Sequence, residues 1–130
     1  MEETRKITIL VADDEKDFLE IISTKLKSSG FEVIEAENGR DAVDKIKSNL
    51  PDLVLMDVNM PEMSGVEALL NIRKDPQLAG IKIVFLTNYG EPQKEVAWLD
   101  EKFARDIGAI DYIKKSQDLD KLVSDVRALL

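Results

Sequence analysis

The most constraining feature of this sequence is a regular alternation between two apolar patterns. Short runs rich in β-branched residues are followed by longer segments in which apolar residues recur every three or four positions. This alternation is typical of strand–helix units that build a mainly parallel sheet. Five such units can be counted, so we expect an α/β protein.

The predicted strands are the five short apolar runs, which are KITILVA ending at Ala12, FEVIEA, DLVLMD, KIVFLT from Lys82 to Thr87, and IDYI. Each predicted helix carries one apolar stripe. In the first three helices the stripes are Phe18, Ile22 and Leu26 before Gly30; Ala42, Val43, Ile46 and Leu50 between Asn38–Gly39 and Pro51; and Val66, Leu69 and Leu70 before Pro76. In the last two they are Val96, Leu99, Phe103 and Ile107 after Pro92, and Leu119, Leu122, Val123, Val126 and Leu130.

Composition excludes several kinds of function. With 26 acidic and 18 basic residues the net charge is -8, which argues against direct binding of nucleic acid. The absence of histidine and cysteine excludes imidazole catalysis, disulfides and the usual zinc sites. No signal peptide or membrane-spanning run is visible, so we expect a cytoplasmic protein with no membrane partner. A length of 130 residues fits one domain, and we expect no attached output domain.

Polar residues follow the predicted strands where each one ends. Because parallel strands end at one edge of a sheet, these residues should lie close together. Three clustered aspartates without histidine or cysteine favour a hard cation such as Mg²⁺. An aspartate beside Mg²⁺, a hydroxyl and an ammonium is typical of phosphoryl transfer with the aspartate as nucleophile. The residues are Asp13, Asp14 and Glu15 after the first strand, Asp57 after the third, Thr87 after the fourth, and Lys114 and Lys115 after the fifth.

Four stretches, ILVADDE, LVLMDVNMPEMSG, IVFLT and GAIDYIKKS, resemble the successive signatures of the receiver domain of two-component response regulators. They occur in the family's order and cover essentially the whole chain. The resemblance implies a flavodoxin-like (βα)5 fold, a doubly wound parallel sheet with strand order 2-1-3-4-5, and a single CheY-like receiver domain over residues 1–130. It also implies a phosphoacceptor in a His-Asp phosphorelay that catalyses only its own phosphorylation and dephosphorylation.

The resemblance implies partners as well as a fold. The phosphoryl group would come from a histidine kinase, a phosphotransfer protein or a small phosphodonor, in the presence of Mg²⁺. Phosphorylation would switch a surface that binds a downstream protein, and the chain would be a monomer or a weak dimer.

By position in the family's motifs, Asp57 would be the phosphoacceptor. Asp14, Asp57 and the backbone carbonyl of Asn59 would bind Mg²⁺ directly, and Asp13 would act through water. The alternative is that each aspartate is an ordinary turn or helix-capping residue.

The same correspondence implies that Thr87 would hydrogen-bond the phosphoryl group. Lys115, rather than its neighbour Lys114, would pair with the phosphoryl group as the third catalytic residue. Tyr112 falls where the family keeps an aromatic switch residue, although a half-packed aromatic at the sheet edge is the alternative. Pro61 and Gly65 would shape the backbone of the turn after Asp57.

Three positions depart from the family's pattern. Ser116 replaces the usual proline after the lysine, so we expect a trans Lys115–Ser116 bond, or a cis bond held by other contacts. Asn88 replaces a small residue after the threonine, and we hypothesise altered dephosphorylation. Trp98 lies off the apolar stripe of a longer fourth helical segment, which suggests an exposed partner surface; burial by a folded-back segment is the alternative.

Two other functions are compatible with parts of the pattern. The first is a receiver-like adaptor that does not depend on phosphorylation, which Ser116 and Asn88 slightly favour. The second is an enzyme or flavin carrier on the same fold. The acidic stretch ADDEKD after the first strand would repel a cofactor phosphate, so the flavin carrier ranks last.

Overall fold

The computed structural model of the chain describes residues 6–87, 111–115 and 118–130. Its strands form a parallel sheet in the order β2-β1-β3-β4-β5, which confirms the predicted fold and strand order. The strands are β1 (Thr8–Ala12), β2 (Glu32–Ala36), β3 (Leu53–Asp57), β4 (Lys82–Thr87) and β5 (Asp111–Lys114). The helices within the described residues are α1 (Lys16–Ser28), α2 (Gly39–Asn49), α3 (Gly65–Arg73) and α4 (Leu119–Leu129). The helix predicted to begin at Pro92 lies outside the described residues.

The core consists of two layers, one on each face of the sheet. Successive side chains of a strand point to opposite faces, so each central strand contributes to both layers. Every residue of β3 is buried, which explains the apolar run that precedes Asp57. One layer packs against α2 and α3 and includes Leu10, Val54, Met56, Ile83 and Phe85. The other packs against α1 and α4 and includes Ile9, Val11, Leu53, Leu55 and Val84.

Two residues of the predicted apolar stripes are exposed, and one of them, Leu50, was expected to point inward. Leu50 is 60% exposed, because the residue that caps α2 adopts a left-handed conformation, with φ of 47°, and no longer follows the helical stripe. Leu70 is 45% exposed, because the buried face of α3 is formed by Ala68, Leu69 and Ile72. Three apolar residues were too few to locate the centre of that face.

The ends of the helices explain how the chain enters α2 and α3. The side chain of Asn38 accepts a hydrogen bond from the Asp41 N–H at 2.8 Å, as its predicted position before the second helix requires. Ser64 and Glu67 form a reciprocal capping box at the start of α3. Within the described parts of the chain, every helix is too short or too polar to cross a bilayer.

Candidate functional site

Three carboxylates meet at the carboxyl edge of the sheet. Asp13 follows β1 directly, Asp14 is the next residue, and Asp57 is the last residue of β3. One oxygen from each lies within 4.8 Å of the others. Asp13 and Asp57 are buried, whereas Asp14 is exposed. The structure therefore brings together the three aspartates that the strand ends predicted, with one open side.

The backbone around Asp57 is held by the start of α3. The Gly65 N–H donates to the Val58 carbonyl at 2.9 Å, and a Cβ atom on Gly65 would lie 2.3 Å from the Asp57 carbonyl oxygen. The Asn59 N–H donates weakly to Asp57 Oδ1 at 3.3 Å. Asn59 is half-buried and lies two residues after Asp57. The turn after β3 is thus tied back onto the residue that it follows.

Lys115 directly follows the edge strand β5, and its ammonium lies against the carboxylates. Its backbone N–H donates to the Thr87 carbonyl at 2.7 Å, which places the residue beside the end of β4. Its ammonium lies 2.6 Å from Asp13 Oδ2 and 3.4 Å from Asp57 Oδ2. Lys115 is buried, whereas Lys114 is exposed. Of the two lysines, Lys115 is therefore the one that lies in the cluster.

Thr87 and Tyr112 occupy neighbouring strands at the same end of the sheet. Thr87 is buried and closes β4, next to the strand that ends in Asp57. Tyr112 is half-buried on β5, pairs with Phe85 and packs against the layer that α2 and α3 cover. Thr87 therefore ends the fourth strand as predicted, and the position of Tyr112 is compatible with both the switch role and the half-packed alternative.

Burial and charge set the protonation of the cluster. Burial raises the pKa of Asp57 to about 7, and the negative charge of Asp13 adds to this shift. Burial also raises the pKa of Asp13, against the opposing effect of its contact with Lys115. Burial alone would lower the pKa of Lys115, but its close contacts with Asp13 and Glu15 and the charge of Asp57 outweigh this and raise it. Lys115 is therefore an ammonium group at neutral pH.

The donor set fits a hard divalent cation. The three aspartates supply carboxylate oxygens only, which is the ligand chemistry that Mg²⁺ prefers, and one of them is open to solvent. Among the residues that the structure describes, the Lys115 ammonium sets one positive charge against the two buried carboxylates that it contacts, which leaves excess negative charge when both are ionised. A divalent cation would remove this excess, so the residues present suit such an ion.

Two contacts of Lys115 were missed from the sequence. Glu15 Oε1 lies 2.6 Å from the ammonium, and the ring of Phe18 lies beneath it at 5.0 Å from the ring centroid. From the sequence, Glu15 is expected only to belong to the acidic end of the first strand, and Phe18 only to the apolar stripe of the first helix. The weak signal was their spacing, since residues three apart on a helix share a face.

Several predictions fall outside the described residues. Asn88, Trp98 and Ser116 all do, so the partner surface at Trp98, the effect of Asn88 on dephosphorylation and the geometry of the Lys115–Ser116 bond stay predictions.

Comparison with known proteins gives consistent matches. Residues 9–127 match the family described as the response regulator receiver domain. The phosphate regulon transcriptional regulatory protein PhoB of Pseudomonas aeruginosa is 36% identical over 123 residues, covering 95% of this chain and 51% of that protein. The regulatory protein AtoC of Escherichia coli is 38% identical over 114 residues, covering 88% of this chain and 23% of AtoC. The chain thus spans about half the length of the first relative and less of the second.

Solved structures agree with these matches. The chemotaxis response regulator CheY4 of Vibrio cholerae superimposes with a TM-score of 0.84 at 27% identity, covering 97% of this chain and 100% of that one. The receiver domain of the Francisella response regulator 1452 superimposes with a TM-score of 0.80 at 27% identity, covering 95% and 96% of the two chains.

Proposed function

This chain belongs to the response regulator receiver domain family of two-component systems, and we propose that it accepts a phosphoryl group on Asp57. The observation that carries the proposal is the position of the Lys115 ammonium, 3.4 Å from Asp57 Oδ2 in a group of three carboxylates of which two are buried. A carboxylate held beside a fixed cation, at an edge with one open side, is arranged to bind an incoming anion.

The proposed step is a displacement at phosphorus. An Asp57 carboxylate oxygen forms a bond to phosphorus, and the bond from phosphorus to the donor atom breaks. The leaving group, an imidazole nitrogen of a histidine kinase or phosphotransfer protein or an oxygen of a small acyl phosphate, keeps the electron pair. Hydrolysis reverses the loading when water attacks phosphorus, releasing inorganic phosphate and the Asp57 carboxylate.

Other residues of the site would contact the phosphoryl oxygens and hold the metal ion. The Lys115 ammonium pairs with a phosphoryl oxygen, and the Thr87 hydroxyl donates a hydrogen bond to another. Asp14, Asp57 and the Asn59 carbonyl would hold Mg²⁺ directly, with Asp13 acting through water. When bound, this ion would neutralise charge on the phosphoryl oxygens.

The proposed output is a change of surface rather than turnover of a substrate. A phosphoryl group adds up to about two negative charges at Asp57, which draw Thr87 and Lys115 toward it. Tyr112, on the strand next to Thr87, would change its packing in response. A histidine kinase or phosphotransfer protein upstream, a downstream protein partner and a cytoplasmic location belong to this proposal.

The test is intact mass after incubation with acetyl phosphate and Mg²⁺. We expect the gain of one phosphoryl group in the wild type and in Asp44→Asn, which changes an exposed aspartate on α2. Asp57→Asn and a chelator-treated sample should gain none. Failure of the wild type to gain mass, under conditions that label another receiver, would overturn the proposal in favour of an adaptor that does not depend on phosphorylation.

A further inference from the structure

The first turn of α1 supplies a second set of contacts to the lysine of the site. Glu15 Oε1 lies 2.6 Å from the Lys115 ammonium, and the centroid of the Phe18 ring lies 5.0 Å from it. Glu15 is the residue just before α1, and Phe18 is the third residue of that helix. Lys115 is therefore held from α1 as well as from the aspartates.

The position of Glu15 is unusual for a residue that precedes a helix. Such residues commonly use the side chain to accept a hydrogen bond from the first turn, but Glu15 makes no such bond. Its backbone is held instead, because its N–H donates to Asp13 Oδ1 at 2.8 Å and its carbonyl accepts from Leu19 at 2.9 Å. The side chain is thereby available for Lys115.

The three contacts of the ammonium are unequal. An ammonium has three hydrogen-bond donors, and its two short contacts are to Asp13 and Glu15, at 2.6 Å each. The contact with Asp57, the proposed phosphoacceptor, is longer at 3.4 Å. The Lys115 ammonium therefore lies closer to Asp13 and Glu15 than to Asp57.

The two short contacts also differ in how readily they can be released. The side chain of Asp13 is fully buried, so an Asp13 carboxylate left without its partner would be desolvated. The side chain of Glu15 is 56% exposed, so water can replace Lys115 around it at little cost. Glu15 is therefore the contact that Lys115 can leave.

We infer that Glu15 is a positioning residue that holds the Lys115 ammonium on the α1 side of the site until a phosphoryl group on Asp57 draws it away. The inference rests on the proposed function, because it makes the Glu15 carboxylate a competitor of the phosphoryl group for the Lys115 ammonium. Removal of the Glu15 carboxylate should therefore strengthen binding of a phosphoryl group at Asp57.

The test uses beryllofluoride, a tetrahedral phosphoryl mimic, titrated calorimetrically at saturating Mg²⁺. We expect Glu15→Ala to bind it roughly two- to fivefold more tightly than the wild type, the range of a partly exposed ion pair. Glu20→Ala, which removes an exposed glutamate further along α1, should bind like the wild type. On a Lys115→Met background, Glu15→Ala should not change the affinity for beryllofluoride, because the ammonium that Glu15 contacts is absent.

A second readout needs neither Mg²⁺ nor the mimic, and serves if Lys115→Met does not fold. The nitrogen-15 NMR signal of the Lys115 ammonium should shift in Glu15→Ala and not in Glu20→Ala. No shift, unchanged affinity, or equal tightening on the Lys115→Met background would overturn the role of Glu15. Failure of the wild type to bind beryllofluoride would overturn the proposed function instead, so the two failures are distinguishable.

Discussion

A Cβ atom on Gly65 would lie 2.3 Å from the carbonyl oxygen of Asp57, so α3 begins in direct contact with the end of β3. That carbonyl belongs to the backbone and cannot turn aside as a flexible side chain can. The residue that opens the third helix therefore sets the position of the proposed phosphoacceptor.

Gly65→Ala should lower the free energy of unfolding by about 1–3 kcal/mol, because the backbone around Asp57 must shift. It should also slow phosphorylation by acetyl phosphate. Gly80→Ala is the matched control, since a Cβ atom there would meet nothing within 4 Å. Urea unfolding of both variants measures the difference, and equal stability would contradict the contact.

Leu50→Gly should stabilise the protein relative to Leu50→Ala by roughly 0.5–1 kcal/mol. Leu50 caps α2 with φ of 47°, a conformation that a Cβ atom disfavours, and its side chain is 60% exposed. Alanine removes the apolar side chain but keeps the Cβ atom, so the pair isolates the backbone effect. A glycine variant that melts below the alanine variant would refute the assignment.

Ser23→Ala should raise the free energy of unfolding by about 1 kcal/mol. The Ser23 hydroxyl is buried in α1 and has no hydrogen-bond partner among the residues that the structure describes. Ser28→Ala, which removes an exposed hydroxyl that donates to the Lys25 carbonyl at 2.9 Å, is the control. Loss of stability in Ser23→Ala would indicate that the hydroxyl has a partner.

Asp57→Asn should stabilise the Mg²⁺-free protein at neutral pH, on the order of 2 kcal/mol. Folded Asp57 holds its proton up to a pKa of about 7, against 3.8 as its ordinary value. Between these values the folded state binds more protons than the unfolded state, so wild-type stability falls as pH rises through this window.

Urea unfolding from about pH 5 to about pH 8 checks this prediction, with Asp44→Asn as the control. The advantage of Asp57→Asn should grow as pH rises and shrink when Mg²⁺ is added. An advantage that does not change with pH would show that Asp57 titrates in its ordinary range.

Lys115→Met should lower the free energy of unfolding by about 2–3 kcal/mol, because it leaves the buried Asp13 without its cation at 2.6 Å. Lys114→Met, at the exposed neighbouring position, should change it by about 1 kcal/mol or less, because water screens the contacts of an exposed cation. Thermal unfolding of the two variants tests which lysine belongs to the site. Equal losses of stability in the two variants would contradict the assignment of Lys115, rather than Lys114, to the site.

Much of the architecture was predictable because side-chain periodicity follows from local backbone geometry. The uninterrupted apolar run of β3 indicated a strand buried on both faces, and all five residues are buried. Asp13, Asp14 and Asp57 could be grouped in advance because parallel strands end at a common edge. The inward position expected for Leu50 was wrong, and Leu70 marked its helix correctly but lies outside the buried face, because periodicity does not report where a helix ends or how far its buried face extends.

Local pattern was thus sufficient to identify the strand–helix units and the polar residues at the strand ends. It was not sufficient to show that Glu15 contacts Lys115, one hundred residues away, or that Gly65 lies against the Asp57 carbonyl. Both relationships are distances between segments that folding brings together. They depend on the packing of α1 and α3 against the sheet, which no pattern along a single segment encodes.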